Sequence, residues 1–288
     1  MKQYQKKQAL ERVIHGVFLL LGLVTVGCVL LITIYLIVSG IPAIRKIGLV
    51  PFLFGKVWAS TSKTNPQYGI LPFILTSVYG TAGAIVLGVP IGFFTAVYLA
   101  KLAPPRIKTL LSSAVSMLSG IPSVVYGLVG MLVFCEVLGM GTSLLAGALT
   151  LAVMNLPTIL RTTQESLKTV PQSYREGAFA LGAGKWRTIR TVVLPSSIDG
   201  IVTGCILAVG RIVGESAALL YTAGFGLELV GFVKALHTSA ASLTVALYVY
   251  ATERGETALA FSIATILMVL TLLINLTASL VGRKLRKK

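Results

Sequence analysis

Arg211 and Glu215 stand four residues apart in Ile201 to Leu220, a run that is otherwise uncharged and mostly apolar. A guanidinium is a rigid fork of donors that grips two oxygens of an oxyanion at once, while a carboxylate holds such a cation or pushes an anion onward. Arg in mid-span costs about 3 kcal/mol on insertion scales, so it faces a polar cavity or a partner. Read as one helix, the segment puts Arg211 about 20 Å from a start near Ser197, past the middle of the span. Arg211, Gly214, Glu215 and Ala218 then share a face with small flanks. The chemistry expected of Arg211 and Glu215 is passage of an oxyanion. The alternative is an ion pair, within the helix or to a second subunit, that only fixes packing.

A second constellation lies in the polar segment Arg161 to Ser197. Ser173 and Glu176 have the spacing of a capping box, which predicts a helix beginning at Tyr174. Gly182 is placed to end it. A short helix from Lys185 would be closed by Pro195, which has no amide proton to continue the ladder. The expected product is a helix-turn-helix on the membrane surface, suited to docking.

Other polar residues carry weaker signals. Asn155, two before Pro157, is placed to bond across helices. Glu136 falls at a span end and Asp199 near a helix start. His15 and His237 have no partners at metal-ligand spacing, and Cys28, Cys135 and Cys205 lie one per apolar run, so neither a metal site nor a disulfide is expected. Trp58, Tyr68 and Tyr221 read as interfacial anchors. Gly177-x4-Gly182 is not a phosphate loop, because Ala183 replaces its Lys and Trp186 follows Lys185 in place of Ser or Thr. No hydrolase elbow, zinc-protease or dinucleotide motif is found, and no catalytic residue is expected.

The elements that must hold these residues are membrane spans. The chain is 55% hydrophobic and 12% charged, with a mean hydropathy of +0.88, which excludes an ordinary soluble domain. Six stretches approach or exceed the length needed to cross a bilayer, near 13–38, 70–99, 109–136, 143–160, 198–222 and 257–281. They are expected to be helices, in an all-α membrane protein whose first span is a retained anchor. With the N-terminus inside, eighteen Lys or Arg fall on the cytoplasmic side and six outside, which places both termini in the cytoplasm. The net charge of +16 therefore needs no nucleic-acid partner. Spans two to five hold Gly88 and Pro90, Gly120 and Pro122, Pro157, then Gly204, Gly210 and Gly214, which describes a bundle that bends.

Glu176-Gly177-Ala178-x3-Gly182-x9-Val192-x-Leu194-Pro195 resembles the EAA loop of permease subunits in binding-protein-dependent ABC importers. Gly177 and Val192 are its departures from that pattern. Gly69-Ile70-Leu71-Pro72, Gly120-Ile121-Pro122-Ser123 and Gly210-Arg211-Ile212-Val213-Gly214-Glu215-Ser216-Ala217 are similar to recurring segments of the phosphate branch, the PstA type, although Ala218 stands where that branch often has Pro. The resemblance implies a type I importer permease with six transmembrane helices and a cytoplasmic coupling helix. It divides the chain into 1–68 (tail, first span and outer loop) and 69–288 (permease core), with the coupling loop near 171–195. It implies that Ser173, Glu176, Ala178, Gly182, Leu194 and Pro195 belong to ATPase coupling. The implied partners are a PstC-type permease, two PstB-type ATPase subunits that bind the ATP and Mg, and an extracytoplasmic PstS-type phosphate-binding protein. No cofactor is expected on this chain. Competing readings are an importer for another oxyanion or small polar solute, a stand-alone secondary transporter, and a passive scaffold.

Overall fold

The computed structural model describes residues 2–62, 64–227 and 231–286, with the side chains of 2–10, 232–233 and 285–286 excepted. The basic side chains of Lys2, Lys6, Lys7, Lys63, Arg286, Lys287 and Lys288, used in the charge count, lie outside the described residues.

Helix α1 (Lys2–Ile47) is followed by α2 (Leu49–Phe54), a hairpin of β1 (Trp58–Ala59) and β2 (Gln67–Tyr68), α3 (Leu71–Val97), α4 (Pro105–Leu118) and α5 (Ser123–Gly130). Then come α6 (Leu144–Thr169), α7 (Gln172–Ala180), α8 (Lys185–Thr188), α9 (Leu194–Val213), α10 (Ala217–Thr222), α11 (Phe232–Ala235), α12 (Leu243–Tyr248) and α13 (Thr257–Arg286). Wide π-type turns at Tyr98–Leu102, Met131–Val137, Ile189–Val193 and Val249–Glu253 extend α3, α5, α8 and α12. Among the described residues, five helices are long and apolar enough to cross a membrane, and α4 with the extended α5 makes a sixth crossing if the pair is one bent span. The exposed side chains of α1 are Leu, Val and Ile along most of its length, the reverse of a soluble surface.

Three expected boundaries move. The stretch 109–136 is two legs meeting at 102°: the α ladder gives way to tight bonds at Gly120 N to Met117 O and Ile121 N to Leu118 O, and Pro122 has no amide to continue it. The fourth span continues to Thr169, so its polar end is helix rather than insert. The fifth stops at Val213 instead of reaching residue 222. Pro90 and Pro157, by contrast, sit inside unbroken helices.

Small residues set the packing. Gly88 and Gly92 of α3 face Ala152 and Ile159 of α6, where a Cβ at Gly92 would stand 2.8 Å from Ile159 Cγ2. Gly200 and Gly204 of α9 lie against Ser166 and Thr162 of α6. Helix α1 lies along α13, with Thr265 Oγ1 donating to Leu36 O at 3.0 Å.

Trp58 is 2% exposed and is not an interfacial anchor. Its indole donates to Tyr250 Oη at 2.6 Å and its ring meets Tyr68, Phe73 and Tyr250 at 5.0 to 6.0 Å. Tyr68 and Tyr221 are half-buried. Arg254 Nη1 donates to the same Tyr250 hydroxyl at 2.9 Å. Tyr250→Phe is therefore expected to cost about 1–3 kcal/mol by leaving a buried donor unsatisfied, read as a lower unfolding temperature in detergent.

Candidate functional site

Helix α9 ends because Gly214 and Glu215 bond back locally, Gly214 N to Gly210 O at 3.3 Å and Glu215 N to Ile212 O at 3.2 Å. Helix α10 restarts at Ala217, and Glu215 Oε1 caps it by accepting from Ala218 N at 3.1 Å. The carbonyl freed at Glu215 accepts from Thr244 Oγ1 at 2.7 Å, and Thr244 in turn bonds Ser242 at 2.8 Å. The break is thus satisfied by protein, as irregular backbone at membrane depth must be.

The break corrects the expected common face. Arg211 is in the last turn of α9 and Glu215 lies outside that helix. They form neither the expected stripe nor an intrahelical ion pair: Arg211 Nη1 donates to Thr158 Oγ1 of α6 at 3.2 Å, while Glu215 turns to the α10 amide. Each charge sits at the helix end that suits it, the cation beside free carbonyls and the anion beside free amides. That geometry lowers the cost of placing them in a membrane. Arg211 remains exposed beside Gly214, whose lack of a side chain leaves its approach open. Tyr126 of α5 donates its hydroxyl to Leu118 O at 2.8 Å.

Thr158 and Thr244 were not legible as site residues, since neither is charged and each finds its partner through tertiary packing. Asn155 does not bond across helices. Its amide returns to Leu151 O at 2.9 Å, and its Oδ1 is buried without a partner. Asp199 lies near the start of α9, which begins at Leu194, within a continuous span that runs from Lys185.

The insert keeps its compactness and changes its caps. Helix α7 begins at Gln172 after Pro171, so Ser173 is inside the first turn and caps nothing. Glu176 is held instead by Gln172 Nε2 at 2.8 Å. Pro171 displaces the cap because its fixed φ already sets the entry. The far end closes as expected: Gly182 has φ +79°, with Gly182 N to Phe179 O at 2.9 Å and Ala183 N to Ala178 O at 3.0 Å. These are the two bonds of a Schellman cap.

Pro195 closes no helix. Leu194 N donates to Ile189 O across the π turn, and α8 runs through it into α9. The extra residue in that turn takes up the missing Pro amide and the ring's bulk. Tyr174, Ala178, Leu181, Gly182, Arg187 and Val192 line a groove of about 540 Å³. Leu181 is 90% exposed on its rim, an apolar surface at the polar end of the bundle.

A family profile described as "Binding-protein-dependent transport system inner membrane component" matches residues 88–287. "Probable ABC transporter permease protein YqgH" of Bacillus subtilis (strain 168) is 36% identical over 211 residues, covering 70% of this chain and 68% of that protein. "Phosphate transport system permease protein PstA 1" of Mycobacterium tuberculosis (strain CDC 1551 / Oshkosh) is 34% identical over 229 residues, covering 76% and 75%. The solved structure "Inward facing conformations of the MetNI methionine ABC transporter" shares the fold, with a TM-score of 0.58 at 19% identity, over 75% of this chain and 94% of that one.

Proposed function

The chain belongs to the binding-protein-dependent transport system inner membrane components, and from that premise we propose that it is the PstA-type permease subunit of an ATP-driven phosphate importer. It forms half of the translocation path, and its 69–288 core carries the chemistry. The observation that carries the substrate is Arg211: an exposed guanidinium in the last turn of a membrane-span helix, bonded to one neutral hydroxyl and not to Glu215. A charge left without a counter-ion in such a helix is matched by an anion. Relatives whose names state phosphate transport support that choice of anion.

The coupling surface is α7, its Gly182 turn and the groove that reaches to Val192. Ser173, Glu176 and Ala178 belong to α7, while Leu194 and Pro195 lie where the insert joins its span. Ser173 acts there as a surface residue of α7 and not as a cap. An ATPase subunit of PstB type, which binds the ATP and Mg, seats on this surface. A second permease of PstC type completes the path, and an extracytoplasmic protein of PstS type delivers phosphate. Both termini face the cytoplasm in this arrangement. Nucleotide-driven closure of the ATPase pair becomes a rigid-body movement of the helices.

Competition decides the cargo. In vesicles containing the full complex, excess unlabelled phosphate is expected to suppress uptake of labelled phosphate, while sulfate and molybdate leave it unchanged. Equal suppression by sulfate or molybdate would move the assignment to another oxyanion. Uptake by this polypeptide alone, without ATP, would move it to a secondary transporter.

A further inference from the structure

Between α4 and α6 lies a cleft of about 220 Å³, lined by Ser112 and Ser116 on one side and by Arg161, Glu165 and Lys168 on the other. At about 30 Å³ per water it has room for a small oxyanion with part of its hydration shell. It begins one turn from the Arg211 contact. Thr158, Arg161, Glu165 and Lys168 follow one another along α6 at intervals of three, four and three residues, which keeps them on one face. The axial steps are about 4.5 Å from Thr158 to Arg161 and about 10 Å on to Lys168.

Arg161 and Lys168 are both exposed to this cleft and form no hydrogen bond or ion pair with another described residue. The hydroxyls opposite are occupied only by their own helix, Ser112 Oγ donating to Thr109 O at 3.0 Å and Ser116 Oγ to Ser112 O at 2.9 Å. Rotation about the Cβ–Oγ bond exchanges such a carbonyl for an anion oxygen. No residue of α4 is buried, and the 102° break separates it from α5. Leu111 and Val115 of α4 pack against the Ala96, Leu99 and Leu160 cluster, so partly buried contacts hold the cleft wall.

We propose that this cleft is a second oxyanion station, where Arg161 and Lys168 receive the anion released by Arg211 and Ser112 and Ser116 donate to it. The inference rests on the phosphate reading of Arg211. The carboxylate of Glu165 keeps the station weak. That is what passage requires, since a site along a path must bind well enough to be entered and poorly enough to be left.

The test uses the reconstituted complex with Cys28, Cys135 and Cys205 replaced by Ala and Ser116→Cys added, with Ser112→Cys as a second reporter if the first does not assemble. An anionic methanethiosulfonate reagent is expected to react about tenfold faster than a cationic one, because two guanidinium or ammonium groups concentrate anions in the cleft. Millimolar inorganic phosphate should slow it, and Arg161→Gln should erase the preference. In phosphate uptake Arg161→Gln is expected to lower the rate about tenfold, a loss of one charge-assisted contact, with ATP hydrolysis retained and with partial recovery in Arg161→Lys. Equal reaction of both reagents, together with normal uptake by Arg161→Gln, overturns the station while leaving the importer standing. A wild-type complex that carries no phosphate overturns the phosphate reading, and the reagent ratio still reports whether the cleft selects anions.

Discussion

Arg211→Ala is expected to reduce phosphate uptake by about a hundredfold or more while the subunit still assembles and still binds its ATPase. A hydrogen bond to a charged group contributes roughly 1.5–3 kcal/mol net, and the guanidinium offers two such bonds plus its full charge to an anion in a weakly screened environment. Little of the fold depends on it. Arg211 is exposed and its side chain makes one hydrogen bond among the described residues, 3.2 Å to Thr158, so its removal leaves no buried group stranded. Arg211→Lys keeps the charge and loses the fork, and an intermediate rate is expected.

Glu215 provides the contrast. Its carboxylate caps α10 at 3.1 Å, so Glu215→Ala is a stability variant at about 1 kcal/mol, whereas Arg211→Ala is a transport variant. Uptake in proteoliposomes and thermal unfolding of the same preparations separate the two. Normal uptake by Arg211→Ala would remove the substrate role.

What was legible before folding and what was not follows from the range of the interactions. Apolar length is a local property, and it located the crossings; the motif from Glu176 to Pro195 is local too, and it located the insert. The Gly182 turn was also readable, because a positive φ is a demand on one residue. The break at Gly214 was not, since its cost is removed by Thr244, 29 residues on from Glu215, and by the Glu215 cap. Seen without those partners, 198–222 is one apolar stretch. Trp58 misled in the same way. An indole near a span end fits an anchor, yet its partner Tyr250 is 192 residues distant. Pro195 misled through a local rule that holds for an α ladder and is relaxed by one π turn.

Gly182→Val should break the link between hydrolysis and transport. At φ +79° a side chain costs roughly 1–2 kcal/mol, and more when it is β-branched. The turn can escape that strain only by giving up Gly182 N to Phe179 O and Ala183 N to Ala178 O. Those two bonds fix the angle between α7 and the helix that runs from Lys185 to Val213, the same helix that carries Arg211. A surface that receives a push must be rigid against the helix it moves, so loosening this turn dissipates the motion before it reaches the site. The expected result is that ATP hydrolysis persists, while phosphate carried per ATP falls about tenfold, the effect of a strain near 1.4 kcal/mol on the productive geometry. Gly182→Asn, which tolerates the left-handed conformation, should keep most of the coupling. Gly177→Ala should change little, because a Cβ there meets nothing within 4 Å. A Gly182→Val complex that moves as much phosphate per ATP as the unaltered one would show that the push enters the bundle elsewhere.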